Sequence, residues 1–154
     1  MNKQPNSRMC FICGVKNIAG VHVRFYEPGD GTVVARFTGQ EIHQGYPGRF
    51  HGGVLAGILD ETLGRAIRLE HGDDVWGVTV ELTIRYRQPV PLEVELEAIG
   101  RITAERSRLF EATGEVMLPD GTVAVEASGK FVKLLPDTLA EFDPAAEEWQ
   151  IVPD

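Results

Sequence analysis

The sequence has few cysteines, no long apolar run and no excess of basic residues, and each absence excludes a class of protein. Its 154 residues include two cysteines, 15 Lys and Arg, and 23 Asp and Glu. No apolar run approaches the roughly 20 residues of a membrane-spanning helix, and the first residues are polar, unlike a secretory signal peptide. No basic surface is evident that would bind nucleic acid. We therefore expect a single-domain, cytoplasmic protein without a nucleic-acid or membrane partner.

The negative charge is concentrated at one end of the chain. The formal net charge is −8, and residues 136–154 contain six acidic residues and no Lys or Arg. Removing those six charges from −8 leaves −2 for residues 1–135. We therefore expect a folded domain over 1–135, followed by an acidic tail over 136–154 that is an appendage with a short helix near 144–149.

The two cysteines form one Cys-x-x-Cys motif, Cys10 and Cys13, in an N-terminal arm at 1–19. One such pair is half of a tetrahedral zinc site. The histidines have no metal-site spacing, and no strand and helix flank the motif as in redox-active pairs. The sequence therefore predicts reduced structural thiols and no metal, since a metal would need ligands from elsewhere in the chain or from another subunit. Residues 1–9 are predicted to be a disordered or loose arm.

One segment has a strong helical pattern. Apolar residues recur at positions 54, 55, 58, 59, 63 and 67 after a glycine-containing loop, which predicts a helix over about 52–70. On a helical wheel, Asp60 lies between the apolar arc and a strip formed by Gly53, Gly57 and Gly64. Each interior glycine costs up to about 1 kcal/mol relative to alanine. The strip is therefore expected to admit a second backbone or a slender ligand.

Six other segments have strand patterns bounded by turn residues. They cover 21–26, 32–37, 79–87, 92–98, 108–118 and 122–135. The order β-β-α-β-β-β-β predicts an α+β fold in which an antiparallel sheet of about six strands wraps around one long central helix. One helix covers only part of such a sheet, and edge strands need protection. Both facts favour a homodimer and leave a dimer of dimers, a homotetramer, open.

The element order and one motif resemble a known family. Phe50-His51-Gly52-Gly53 opens the helix, Asp60 follows His51 by nine residues, and the next strand begins near Thr79. This pattern resembles the hotdog-fold acyl-CoA thioesterases, particularly their PaaI-like branch of phenylacetate degradation. Cys10-Phe11-Ile12-Cys13-Gly14 resembles the opening of a subgroup of that branch. The resemblance implies a hydrolase that converts an acyl-CoA thioester to a carboxylic acid and free CoA, with no cofactor besides the CoA of the substrate.

The resemblance also implies roles for individual residues. The Gly52 N–H would polarise the thioester carbonyl, with Gly53 alongside, and Asp60 would be the general base or the nucleophile, facing the same cavity. Thr79, contributed by the partner subunit, would help to hold the water. Many family members have Asn or Gln at the loop position that Gly45 occupies here, which leaves the efficiency of water positioning open.

The chemistry of the residues agrees with these roles. Unpaired N–H groups at a helix N-terminus stabilise a developing oxyanion. Desolvation at the border of the apolar arc is expected to raise the pKa of Asp60. Glu61 is a rival acid, but Arg65 lies one turn away, which predicts a surface salt bridge. A lone histidine is usually structural, so we predict that His51 orients the loop rather than acting as a base.

The remaining substrate contacts are predicted from position alone. His43 and Gln44 are expected to line the mouth of the site, and Arg49, Arg85 and Arg87 are candidates for the CoA phosphates because Arg suits phosphate. Two other functions stay open. One is a hotdog hydratase or dehydratase, against which the glycine pair directly after the histidine argues. The other is a non-catalytic acyl-CoA-binding or regulatory module.

Overall fold

The alternating segments form one antiparallel sheet, and the helical segment lies across one face of it. The computed structural model describes residues 1–139 and 141–154. The strands are β1 (Asn2–Lys3), β2 (Arg24–Glu27), β3 (Val33–Thr38), β4 (Trp76–Tyr86), β5 (Glu95–Glu105), β6 (Leu109–Met117) and β7 (Val123–Leu134). Their order across the sheet is β1-β2-β3-β5-β6-β7-β4. The predicted hotdog architecture is confirmed, with seven strands in place of about six.

The central helix is shorter than predicted. Helix α1 spans Gly52–Arg65, and a separate single turn, α2, spans Arg68–His71. Leu55, Ile58, Leu59 and Leu63 are buried, since α1 packs against strands β3 to β7. Within the described residues, neither helix is long and apolar enough to cross a bilayer.

Strand β5 differs most from its predicted range. It begins at Glu95 and continues to Glu105, whereas the alternating pattern ended at residue 98. Gly100 interrupts the pattern, and the structure explains why a glycine stands there. A Cβ at Gly100 would lie 3.0 Å from the Thr62 carbonyl oxygen of α1. The sheet thus continues through a position where the helix backbone approaches closely.

The glycine strip of α1 is used within the chain. A Cβ on Gly57 would lie 3.0 Å from Ile12 Cδ1, so this glycine accommodates the N-terminal segment. A Cβ on Gly77 of β4 would lie 3.4 Å from the Gly64 carbonyl oxygen, so helix and strand backbones approach at this point. The backbone that was expected to approach the glycine strip is therefore that of β4.

A substitution at Gly114 of β6 tests this close packing. An added Cβ would lie 2.3 Å from the Ile99 carbonyl oxygen and 2.7 Å from Leu63 Cδ1, so backbone must move. Gly114→Ala is expected to lower the free energy of unfolding by about 1–3 kcal/mol, measured by urea denaturation. Ser128→Ala, on the exposed part of β7, should change it by less than about 0.5 kcal/mol. Equal stability of the two variants would contradict this account of the packing.

The N-terminal residues are ordered, and the prediction of a loose arm at 1–9 is wrong. Strand β1 pairs with β2, and Gln4 and Asn6 are 2% and 1% exposed. The Asn6 amide donates to the carbonyl oxygens of Cys13 and Val23 at 2.7 and 2.8 Å. These polar side chains are buried because they satisfy backbone acceptors, which their polarity alone did not indicate.

The acidic tail packs on the domain as well. Asn6 and Gln150 exchange backbone hydrogen bonds at 2.9 and 3.1 Å, and Trp149 lies beside Trp76 with ring centroids 5.4 Å apart. Residues 144–148 form turns, not the short helix predicted near 144–149. The tail is therefore not an appendage in its described part; its aromatic side chain covers the start of β4.

Candidate active site

The N-terminus of α1 presents the backbone N–H of Gly52 without a partner in the described chain. His51 is the N-cap residue, and its Nδ1 accepts a hydrogen bond from the Gly53 N–H at 2.9 Å. The Gly53 donor is therefore occupied, and His51 acts here as a cap. The Gly52 N–H has no acceptor among the described residues, as expected for a first-turn amide. Gly52 rather than Gly53 is thus the donor available to an oxyanion.

Tyr86 supports this N-terminus and was not among the predicted residues. Its hydroxyl donates to the Gly52 carbonyl oxygen at 2.5 Å, and a Cβ on Gly52 would lie 3.3 Å from its ring. Tyr86 shares the inward phase of β4 with Leu82 and Ile84, which was the available signal. A cavity of about 470 Å³ opens here, lined by Gln44, Gly45, Tyr46, Arg49, Phe50, His51 and Gly52.

Asp60 is held by a hydroxyl from the neighbouring strand. Its Oδ1 accepts a hydrogen bond from Thr79 Oγ1 at 2.5 Å. Burial raises the pKa of Asp60, the Thr79 hydrogen bond lowers it and the charge of Glu61 raises it, with a net increase above the ordinary value. The resemblance implied that Thr79 of a partner subunit would serve this role. In the structure, Asp60 and Thr79 of the same chain are in contact.

A second cavity, of about 390 Å³, lies beside this carboxylate. Apart from Asp60 and Thr79, it is lined by residues of the N-terminal segment, α1, α2, β4 and the tail, which are Ser7, Cys10, Ile12, Cys13, Gly57, Glu61, Gly64, Arg65, Arg68, Trp76, Gly77 and Trp149. The segments at the two ends of the chain therefore help to form the wall of the space next to the candidate base.

The two halves of the predicted site lie apart within one chain. Gly52 and Asp60 are eight residues apart on α1, which corresponds to about 12 Å along the helix axis. They also line different cavities. The expectation that both face one cavity is therefore wrong for a single chain, because the helix pitch separates an N-terminal amide from a side chain two turns later.

Glu61 is partly buried and pairs with a buried arginine, rather than forming the predicted surface salt bridge. The Arg65 Nε donates to Glu61 Oε1 at 2.9 Å, and the two side chains are only 6% and 19% exposed. The N-terminal segment covers this side of α1, which the helical wheel could not show. Glu61 lines the same cavity as Asp60, but its carboxylate is paired with Arg65, whereas that of Asp60 is bonded by the Thr79 hydroxyl.

The structure buries His43 and contradicts its predicted position at the mouth. Its Nδ1 accepts from the Gln40 N–H at 3.0 Å, and its Nε2 bonds the Ala19 carbonyl oxygen at 2.9 Å. The ring stacks on Phe50 with centroids 6.3 Å apart. His43 thus supports the loop from behind, because both ring nitrogens have partners within the chain.

Gln44 and Arg49 do lie at the Gly52 cavity. The Gln44 Oε1 accepts from the Gly48 N–H at 3.3 Å. Arg85 and Arg87 alternate with the inward-facing Tyr86 and therefore lie on the opposite face of the sheet. Arg87 pairs there with Glu126 at 2.9 Å. Of the three candidate phosphate ligands, Arg49 is thus the one at this cavity in the chain as described.

Comparison with known proteins finds similar chains that are named thioesterases. The chain is 30% identical over 117 residues to mouse acyl-coenzyme A thioesterase THEM4, covering 75% of this chain and 49% of that protein. It therefore spans about half the length of the curated relative. A crystal structure described as protein RHA08564, a thioesterase superfamily protein, aligns with a TM-score of 0.74 and 33% identity, covering 81% of this chain and 63% of the other.

A further structure was solved with CoA. The BH2602 protein from Bacillus halodurans aligns with a TM-score of 0.60 and 25% identity, covering 65% of this chain and 70% of the other. The model of the thioesterase superfamily matches residues 47–125, which include the α1 N-terminus, Asp60 and Thr79. With half of the sequence matched and the fold shared, this chain belongs to the thioesterase superfamily.

Proposed function

We propose that this chain is an acyl-CoA thioesterase whose active site is completed by a second copy of the chain. The observation that carries the proposal is the Asp60 carboxylate, which Thr79 holds at 2.5 Å beside a cavity of about 390 Å³. It lies on the same helix whose N-terminus offers the Gly52 amide. A base and an oxyanion donor are the two groups that thioester hydrolysis requires.

Strand β4 is the surface through which a second copy is proposed to bind. It has 11 residues and bonds β7 along one edge, while no strand of the described chain pairs with its other edge. Val78 and Val80 on this strand are 47% and 57% exposed. A long edge strand with apolar residues favours pairing with another strand. Antiparallel pairing of two β4 strands about a two-fold axis would form a homodimer.

Such a dimer would resolve the separation of Gly52 from Asp60. A two-fold axis beside β4 reverses the direction of the second α1 helix. The N-terminus of one helix would then lie opposite the middle of the other. The dimer would thus bring together two groups that the helical rise keeps apart within one chain. Gly52 of one chain and Asp60 of the partner subunit would face one substrate.

The proposed reaction follows from these two groups. The thioester carbonyl oxygen accepts a hydrogen bond from the Gly52 N–H, which stabilises the negative charge that develops on this oxygen. Asp60 removes a proton from water, and the oxygen of that water bonds to the carbonyl carbon. The carbon–sulfur bond then breaks, the sulfur of CoA takes up the proton, and a carboxylic acid remains. Direct attack by Asp60 to give an anhydride is the alternative. Neither route needs a cofactor besides the CoA of the substrate.

A thiol-release assay with a panel of acyl-CoAs tests the proposal against its alternatives. We expect release of free CoA from at least one acyl-CoA. Saturable binding without release would instead support a binding or regulatory module. Loss of water from a hydroxyacyl-CoA would support a hydratase or dehydratase. Either of these two results, with no CoA release, would contradict the thioesterase assignment.

Mixing two inactive variants tests whether the site is shared between chains. Asp60→Asn and Gly52→Pro chains are each expected to be inactive as homodimers. If each site uses Gly52 of one chain and Asp60 of the other, every heterodimer regains one intact site. Refolding the two variants together at equal concentration should then restore about a quarter of the wild-type activity. If both groups serve the same substrate from one chain, mixing restores none, and light scattering would show whether a dimer forms at all.

A further inference from the structure

We propose that Cys10, Cys13 and Glu61 form a zinc-binding site in the wall of the Asp60 cavity. The two Sγ atoms and a carboxylate oxygen of Glu61 all lie within 4.8 Å of one another. Zn–S and Zn–O bonds of ordinary length place tetrahedral ligands roughly 3.5–3.8 Å apart. The Cys10 Sγ already lies 3.3 Å from Glu61 Oε2. The cluster therefore needs only small side-chain rotations to bind one ion.

A tight turn fixes the positions of the two cysteines. The Ile12 N–H donates to Cys10 Sγ at 3.4 Å, a contact that stabilises negative charge on sulfur. The Gly14 N–H donates to the Cys10 carbonyl oxygen at 2.7 Å. A Cβ on Gly14 would lie 2.4 Å from that oxygen, so this tight turn requires glycine. Both cysteines are thereby held against α1, where Glu61 lies.

The charges around the cluster match a divalent cation. The Arg65 Nη2 donates to Cys13 Sγ at 3.3 Å, and its Nε donates to Glu61 Oε1. Arg65 thus orients two of the ligands from outside the cluster, as residues around bound metals commonly do. Two thiolates and one carboxylate carry three negative charges, of which Arg65 balances one. A divalent cation would neutralise the rest in a region where Cys13 is 1% exposed.

The ligand types select the metal. Thiolates favour zinc over magnesium or calcium, which prefer oxygen ligands throughout. Binding replaces the S–H protons, which pass to solvent, and a water on the cavity side completes the tetrahedron. The sequence predicted no metal because the motif supplied only two ligands. The third is Glu61, which the fold brings to Cys10 from 51 residues further along the chain.

Titration of the metal-free, reduced, untagged protein with Co²⁺ tests the site independently of catalysis. We expect thiolate-to-cobalt charge-transfer absorption that saturates at one ion per chain and is lost on adding Zn²⁺. Cys10→Ser and Cys13→Ser should abolish it. Glu61→Gln keeps both thiols and should weaken cobalt binding by at least about tenfold. The matched control Glu70→Gln, at an exposed acid of α2, should leave binding unchanged. Added Zn²⁺ should also raise the Tm of the wild type.

Two results would overturn the proposal. The first is a wild-type chain that circular dichroism shows to be folded and whose free thiols are intact, but which takes up no cobalt. The second is unchanged cobalt affinity in folded Glu61→Gln, which would show that Glu61 is not a ligand. Because the readouts are absorbance and Tm, failure of the thioesterase proposal would leave this test unaffected.

Discussion

Asp60→Asn is expected to lower kcat for acyl-CoA hydrolysis by about 10²–10⁴-fold. Asparagine has nearly the same shape and can still accept the hydrogen bond that Thr79 donates. It cannot accept a proton from water or attack the thioester as a carboxylate does. Release of CoA, followed with a chromogenic thiol reagent, measures the loss. Circular dichroism should be unchanged, because the substitution removes a charge and leaves the packing intact.

The control for this variant must be an exposed acid. Glu61 lies next to Asp60, but its buried pairing with Arg65 means that Glu61→Gln would leave a buried guanidinium without its partner charge. Glu70→Gln changes a charge of the same type at an exposed position and should retain nearly full activity. An Asp60→Asn enzyme with more than about a tenth of the wild-type kcat would contradict the base or nucleophile role.

Gly52→Pro is expected to lower kcat by about 10²–10³-fold, since it deletes the one N–H proposed to bind the oxyanion. Proline is well tolerated at the first position of a helix, where the amide has no intrahelical acceptor. His51 already has the extended conformation, at φ −64° and ψ 130°, that a residue before proline requires. The substitution thus removes a donor with little change in the helix. The same thiol-release assay applies.

Gly52→Ala is the matched control because it adds a Cβ at the same place and keeps the N–H. Both variants place that Cβ about 3.3 Å from the Tyr86 ring, so contact with Tyr86 is common to them. The difference in kcat between the two variants reports the loss of the hydrogen-bond donor. Equal activities in Gly52→Pro and Gly52→Ala would show that another group polarises the carbonyl.

The helix N-terminus and the two catalytic candidates were accessible from the sequence because their signals are local. A glycine pair after His51 and an apolar period interrupted at Asp60 both lie within one turn or two of a single helix. The contact between Thr79 and Asp60 was less accessible. It depends on how β4 lies against α1 and on a bulge between Thr79 and Glu81, because simple alternation places Thr79 with Glu81 on the face of β4 away from Asp60.

The burial of polar residues was least accessible. Asn6, His43 and Arg65 are polar residue types that are usually exposed, but each is buried here and makes its hydrogen bonds inside the chain. Single-residue polarity predicts exposure, whereas burial depends on partners that are distant in sequence. For the same reason, the Cys-x-x-Cys motif alone offers two possible metal ligands, whereas the fold brings Glu61 to them as a third.

By itself, the sequence determined the class of fold and the order of its elements, and together with the family resemblance it supplied the candidates for the base and the oxyanion donor. These follow from hydrophobic periodicity, turn residues and the free amides at a helix start, all of which act over short distances along the chain. Only the tertiary structure decided which amide is free, that Tyr86 supports it, and that Gly52 and Asp60 of one chain line separate cavities. The helical rise sets the distance between Gly52 and Asp60, but the packing of distant segments decides which cavity each residue lines, and that packing is not encoded in any one stretch of residues.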